Sequence, residues 1–205
     1  MSALPPAARP EDVLARAVGD AVQVLDGQLR RAGAADVPNA PGLYAIWADG
    51  AVTEQLGIGS QGRAAPIYIG KAERSLRDRD LRAHFGVDGA KVRSGSSTLR
   101  RSLSALLADE LELRPVPRGK TASDASKGFS LHPEDEGRLS TWMQDRLELA
   151  TWALPVGLGI RLGDVESRVI RHWDPPLNIV HAPTSRTALR AARAALRFRA
   201  HDTIP

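Results

Sequence analysis

The chain has no cysteine among its 205 residues. That absence excludes disulfides and thiolate metal sites such as zinc fingers. Any metal must therefore sit on oxygen or imidazole ligands. No apolar run approaches the ~18 residues that a membrane span needs. The first residues, MSALPPAARPED, lack an apolar signal core, which predicts a cytoplasmic protein. There is no internal repeat, and His132, His172, His181 and His201 show no metal-ligand spacing. Charge of one sign is not in large excess, since the formal net charge is only +4. The isoelectric point is nonetheless about 9.9, which suits a polyanion such as nucleic acid as partner. A hydrophobic share of 42% allows a sizeable core in one elaborated domain.

Hydrophobic periodicity predicts the elements. Residues 11–31 read as a helix, with Leu14, Val18, Val22, Leu25 and Leu29 at helical spacing. LYAIWA (43–48) and PIYIG (66–70) read as two strands of an antiparallel hairpin, joined by a Gly-rich connection with room for one helical turn. Residues 73–85 read as a helix and 86–96 as a glycine-rich loop. Ser97 or Thr98 can cap the next helix, whose apolar face is Leu99, Leu103, Leu106 and Leu107. Residues 114–132 are polar and irregular, which predicts a flexible segment. Pro133 before Glu134, Asp135 and Glu136 starts another helix, because acids suit the positive end of a helix dipole. LATWALP (149–155) reads as a third strand, Asp164 as the cap of a helix that stops before Asp174-Pro175-Pro176, and 185–199 as a basic helix. The expected class is α/β in the α+β sense: a small three-stranded antiparallel sheet flanked by helices. The expected organisation is an N-terminal arm and helix over 1–37, a core domain over 38–182 and a basic C-terminal helix over 183–205.

One set of polar residues falls on these elements in a chemically useful order. Tyr44 and Tyr68 lie on the hairpin strands, with Gly42 and Gly70 allowing close backbone approach. Lys71 follows. Arg79 and His84 share the next helix, Glu166 sits in the first turn of a later one, and Asn178 follows the double proline. Phosphodiester hydrolysis needs an activated water, a base, cations for the phosphoryl oxygens and usually a metal on a carboxylate. A tyrosine is a poor base at its unperturbed pKa of ~10. A neighbouring Lys71 ammonium or a metal would favour phenolate. Arg79 can clamp phosphate with its planar fork, and Glu166 can hold Mg²⁺. Each residue also has a bland reading. The tyrosines can be plain strand aromatics, Lys71 a solvated strand end, Arg79 a partner of Asp78 or Asp80, and Glu166 a servant of the helix dipole.

GLYAIW (42–47) and YIGKAE (68–73) resemble the paired motifs that name the GIY-YIG nuclease superfamily. SLRDRDLRAHF (75–85) matches the family's arginine-bearing helix. The interval of twelve residues from Glu166 to Asn178, in VESRVIRHWDPPLN, matches its glutamate and asparagine. The resemblance covers about residues 40–180. It implies a DNA endonuclease, restriction-type or stand-alone, that uses one Mg²⁺ or Mn²⁺ held by Glu166 and a water activated by Tyr44 or Tyr68. It implies a catalytic set of Tyr44, Tyr68, Lys71, Arg79, His84, Glu166 and Asn178, with Asn178 as a structural support of the site. A repair nuclease or a silent DNA-binding protein on the same scaffold is the alternative. Two departures stand out: a long connection between the tyrosine motifs, and one extra residue in SLRDRDLRAHF. The second leaves Arg77 and Arg82 as competitors of Arg79, and as DNA contacts otherwise. Arg100 and Arg101 near a helix start can bind phosphate. Arg186, Arg190, Arg193 and Arg197 form a stripe that can track a DNA backbone.

Overall fold

A computed structural model describes residues 9–27, 29–31, 36–59, 65–86, 91–118 and 128–202, without the side chains of residues 80–82. Parts of the expected N-terminal arm, the inter-motif connection, the glycine-rich loop and the 114–132 segment lie outside those residues.

The sheet has four strands in the order β1 (Arg30–Arg31), β6 (Glu148–Ala153), β2 (Gly42–Trp47), β3 (Tyr68–Ala72), and every pairing is antiparallel. The three strands expected from pattern are therefore joined by a fourth. Helix α1 (Pro10–Gly27) stops short of residue 31, and Arg30–Arg31 pairs with Leu149 and Glu148 instead. Two arginines carry no hydrophobic period, so only backbone pairing marks this strand.

Alternation along β2 divides the core. Leu43, Ala45 and Trp47 face α1 and helix α5 (Leu162–Trp173), in a cluster with Ile69, Trp152 and Val169. Tyr44 and Ile46 face the other side, in a cluster with helix α3 (Thr98–Leu107), helix α4 (Pro133–Arg146) and Leu189 of helix α6 (Thr187–Asp202). β2 is buried at every position because both faces are covered.

The connection between the tyrosine motifs holds one short helix, α2 (Gly50–Gln55), capped when Asp49 accepts from Val52 N–H at 2.9 Å. The segment expected to be irregular contains a ribbon, β4 (Pro115–Pro117) paired with β5 (Phe129–Leu131). Asp164 is not the cap of α5. The helix starts two residues earlier, after Arg161, with no side-chain cap bond. Pro133 does open α4, but the acids that follow do more than serve the dipole. Asp135 is buried and receives Arg114 N–H at 2.8 Å and Arg114 Nε–H at 3.0 Å. Those bonds, the Arg114 side chain first, hold the Asp135 carboxyl well below the usual carboxylate range.

The helix expected over 73–85 is a π-helix from Asp78 to His84. Its i→i+5 ladder carries one more residue per turn-length than an α-helix and is often seen at functional sites. Such a ladder would accommodate the extra residue expected in SLRDRDLRAHF. In such a ladder, positions five apart share a face, so Arg79 and His84 lie on one side. In a regular α-helix they would diverge by more than a third of a turn.

Candidate active site

Both tyrosines of the chain enter one site. In the β2–β3 register Tyr44 lies opposite Gly70 and Ile46 opposite Tyr68. The two rings sit 6.1 Å apart, centroid to centroid, tilted by 39°. Gly70 is required by this arrangement. A Cβ there would stand 2.4 Å from the Tyr44 ring and hydroxyl. Gly42 is required for a different reason, since its Cβ would fall 2.1 Å from the Trp152 carbonyl oxygen on the neighbouring strand. The glycines of both motifs thus leave room, one for a catalytic candidate and one for strand pairing.

A cleft of about 610 Å³ runs over the end of β3. Tyr44, Tyr68, Lys71, Arg79 and Glu166 all line it. Tyr44 and Tyr68 come from one face of the sheet. Lys71, one strand position on from Gly70, comes from the other and meets Glu166 of α5. The site therefore wraps the edge strand. Lys71 Nζ is 3.0 Å from Glu73 and 3.6 Å from Glu166 Oε2. Gly163 leaves room for that approach, since a Cβ there would lie a tight 3.0 Å from the Lys71 ammonium. Those partners, Glu73 first, raise the Lys71 pKa.

The Glu166 side chain is only 15% exposed. Burial pushes its carboxyl up, and the Lys71 charge opposes that only partly. A carboxylate so placed is short of positive charge. Among the described residues no group of three acids or histidines forms a cage for a metal. One recessed carboxylate facing an open cleft fits a hard cation that keeps waters and takes substrate phosphate as further ligands. The residues present thus suit a single divalent ion.

His84 is fully enclosed. Its Nε2 lies 2.7 Å from the Tyr44 hydroxyl and its Nδ1 lies 2.8 Å from Ser97 Oγ. Ser97 also caps α3 by accepting the Arg100 N–H at 3.1 Å. Burial first, then the Arg79 and Arg100 charges, lower the His84 pKa to about 3. The imidazole is therefore neutral, with one nitrogen donating and the other accepting. Ser97 Oγ has both a hydroxyl proton and spare lone-pair capacity, so it complements either tautomer.

This gives a stability prediction. A free histidine titrates near 6.5, whereas His84 titrates at about 3 in the fold. Between those values the unfolded chain binds the extra proton. Stability is full above pH ~6.5 and is lost as pH falls toward the folded value, reaching a cost of about 2 kcal/mol at pH 5. Denaturant unfolding at pH 7.5 and pH 5 should show that loss, and His84→Gln should shrink the difference. An unchanged difference in His84→Gln would show that His84 is not the group responsible.

The remaining candidates separate. Of the arginines with described side chains, Arg79 lines the cleft, while Arg77 turns to the Val37 carbonyl at 3.1 Å. The Arg82 side chain lies outside the described residues. Asn178 does not line the cleft. Its Oδ1 accepts the Ile69 N–H and its Nδ2 donates to the Ile69 carbonyl, both at 2.8 Å. It holds β3 between Tyr68 and Gly70 and positions both.

Arg100 is removed from the DNA-contact set. It is wholly buried and bonds Glu136 Oε2 at 2.7 Å, the His84 carbonyl at 2.6 Å and Ser140 Oγ at 3.0 Å. Arg186 is removed as well. It precedes α6 and is tied to Asp174 and the Pro175 carbonyl. Arg101, Arg190, Arg193 and Arg197 do share a surface groove. Glu73, Arg74 and Ser97 were not singled out as site residues by pattern. Glu73 stands inside the second tyrosine motif, and the sequence marks Ser97 as a helix cap or, with Arg100 and Arg101, a phosphate-binding helix start.

The family model of the GIY-YIG catalytic domain matches residues 42–197. No curated protein and no solved structure matches the chain.

Proposed function

The chain belongs to the GIY-YIG family of nucleases, and we propose that it is a cytoplasmic DNA endonuclease of the compact, restriction-type kind that cuts phosphodiester bonds with one Mg²⁺ or Mn²⁺. Nuclease-type activity comes with the family, and so does a general dependence on divalent metal. No described helix is long and apolar enough to cross a membrane. The observation that carries the finer reading is the convergence of Tyr44, Tyr68, Lys71, Arg79 and Glu166 on one cleft.

Glu166 would hold the divalent ion, which when bound supplies charge stabilisation to the phosphoryl oxygens. Arg79, exposed on the π-helix, takes a second oxygen of the scissile phosphate with its planar fork. Lys71 partly offsets the burial that pushes the Glu166 carboxyl up and adds a point charge beside the phosphate. A tyrosine oxygen takes the proton of the attacking water. Tyr44 is assigned that role, because its hydroxyl lies 2.7 Å from His84 Nε2. His84 is too weak a base to keep that proton. Its neutral ring can instead donate Nε2–H to the Tyr44 oxygen while Ser97 fills Nδ1, which favours phenolate. Asn178 sets the strand that carries Tyr68 and Lys71 and touches no substrate. The organisation proposed from pattern, with a core over 38–182 and a basic helix after it, places α6 as an arm that docks on the catalytic unit.

Supercoiled plasmid incubated with Mg²⁺ is expected to convert to nicked and linear forms, and EDTA to stop the conversion. Discrete fragments from a defined plasmid would support a restriction-type enzyme. No cleavage of supercoiled, linear or single-stranded DNA with either metal would end the proposal.

A further inference from the structure

A second groove, of about 460 Å³, opens between α3 and α6. Arg101 and Thr98 line it from α3, and Arg190, Arg193 and Arg197 from α6. Phe129 and Ile179 contribute apolar wall. No acidic side chain is among its described lining residues. This sets it apart from the chain's other arginine clusters. Arg114 and Arg138 meet Asp135, Arg186 meets Asp174, and Arg199 meets Asp109. The buried Arg101 Nε has no hydrogen-bond partner among the described residues.

We propose that this groove is a second phosphate site, which holds a DNA backbone phosphate neighbouring the one that is cut. The proposal rests on the nuclease reading above and extends it to residues outside the four motifs. Like charges held together with no counter-charge are costly. Burial, and then the charges of Arg101 and Arg190, lower the Arg193 pKa to about 10. Burial and the charge of Arg118 lower that of Arg101. A phosphate diester supplies the missing anion and two oxygens for planar guanidinium forks.

Position favours the DNA backbone as the source. Tyr68 lines the catalytic cleft. It also lies close enough to Arg101 and Arg193 for charge to act between them. Tyr68 thus relates the cleft to two arginines of the groove, and a strand whose phosphate sits at Arg79 and Glu166 would run on toward it. Arg190 and Arg197 on the solvent side of α6 extend the same track.

The test measures binding of a short DNA duplex in EDTA, which prevents cutting, across a salt series. Arg193→Ala and the more exposed Arg190→Gln are each expected to weaken binding about 5–10-fold and to reduce the salt slope by about one. Arg16→Gln, an equal charge change on α1, should leave both values alone. Variants that bind and respond to salt like the wild type, while the wild type cuts DNA, would overturn the site and spare the nuclease reading. A wild type that neither binds nor cuts DNA would overturn both. In that event, protection against heat by inorganic phosphate that disappears in Arg193→Ala would assign the groove to free phosphate and still refute a backbone role.

Discussion

Glu166→Gln is expected to lower the cleavage rate in Mg²⁺ by about 10³-fold or more, some 4 kcal/mol on the barrier. The substitution keeps the shape but removes the charge of the one recessed carboxylate that faces the cleft among the described residues. Lys71 retains Glu73 as its partner at 3.0 Å, so the local frame survives. Melting temperature should stay level or rise, because burial already disfavours the Glu166 charge. Lost activity with retained stability is the signature of a site group held in an unfavourable state for its task. Single-turnover cleavage and a thermal melt on the same preparation separate the two readouts. A rate within about tenfold of the wild type would remove Glu166 from the metal site, since tenfold is only ~1.4 kcal/mol.

Glu136→Ala is expected to destabilise the fold by about 3–5 kcal/mol, the usual cost of stranding a buried charge. Arg100 and Glu136 form an ion pair with both side chains almost wholly enclosed. Glu136 also receives the Ser94 N–H at 2.5 Å and the Ser94 hydroxyl at 2.8 Å. Without the carboxylate the guanidinium keeps only neutral acceptors, and Ser94 loses both bonds. The damage reaches the active site through the Arg100 guanidinium. Arg100 Nη1 donates to the His84 carbonyl at 2.6 Å, and His84 in turn holds Tyr44. Cleavage should therefore fall in Glu136→Ala under conditions where most molecules remain folded. The double variant Arg100→Met with Glu136→Leu should recover much of the stability, because it removes both charges and leaves none unpaired. Denaturant titration of the wild type, Arg100→Met, Glu136→Leu and the double variant measures the coupling, and additive losses would show that the pair does not act as a unit.

Arg100 also illustrates what sequence pattern conceals. It lies among leucines on α3 and looks like a solvated arginine at a helix start. Its partner stands 36 residues away on α4, and nothing in the intervening pattern ties the two together. The local signals, by contrast, were readable. Tyr44 and Tyr68 fell on strands because alternation and flanking glycines mark strands directly. Glu166 and Asn178 are marked by a fixed interval, and the asparagine grips the backbone of Ile69. The π-helix was half visible. The extra residue could be counted, but only backbone hydrogen bonding decides whether an insertion makes a loop, a kink or a wider helix. Strand β1 was invisible, since Arg30 and Arg31 join the sheet through main chain alone.

The two outer strands of the sheet bear on edge-to-edge pairing with another chain at high concentration. A strand with an unpaired flank is a template for another chain, and proteins commonly blunt such flanks. Here each flank is blunted differently. On one side β1 is two residues long and doubly cationic, too short and too charged to recruit a neighbour. On the other, the Asn178 amide occupies Ile69 as a further strand would, while Leu177 N–H donates to the Ile67 carbonyl at 3.0 Å. The residue that steadies the strand of Tyr68 thus also covers part of its open flank, and Asn178→Ala is expected to raise self-association, read by light scattering, as well as loosen the site.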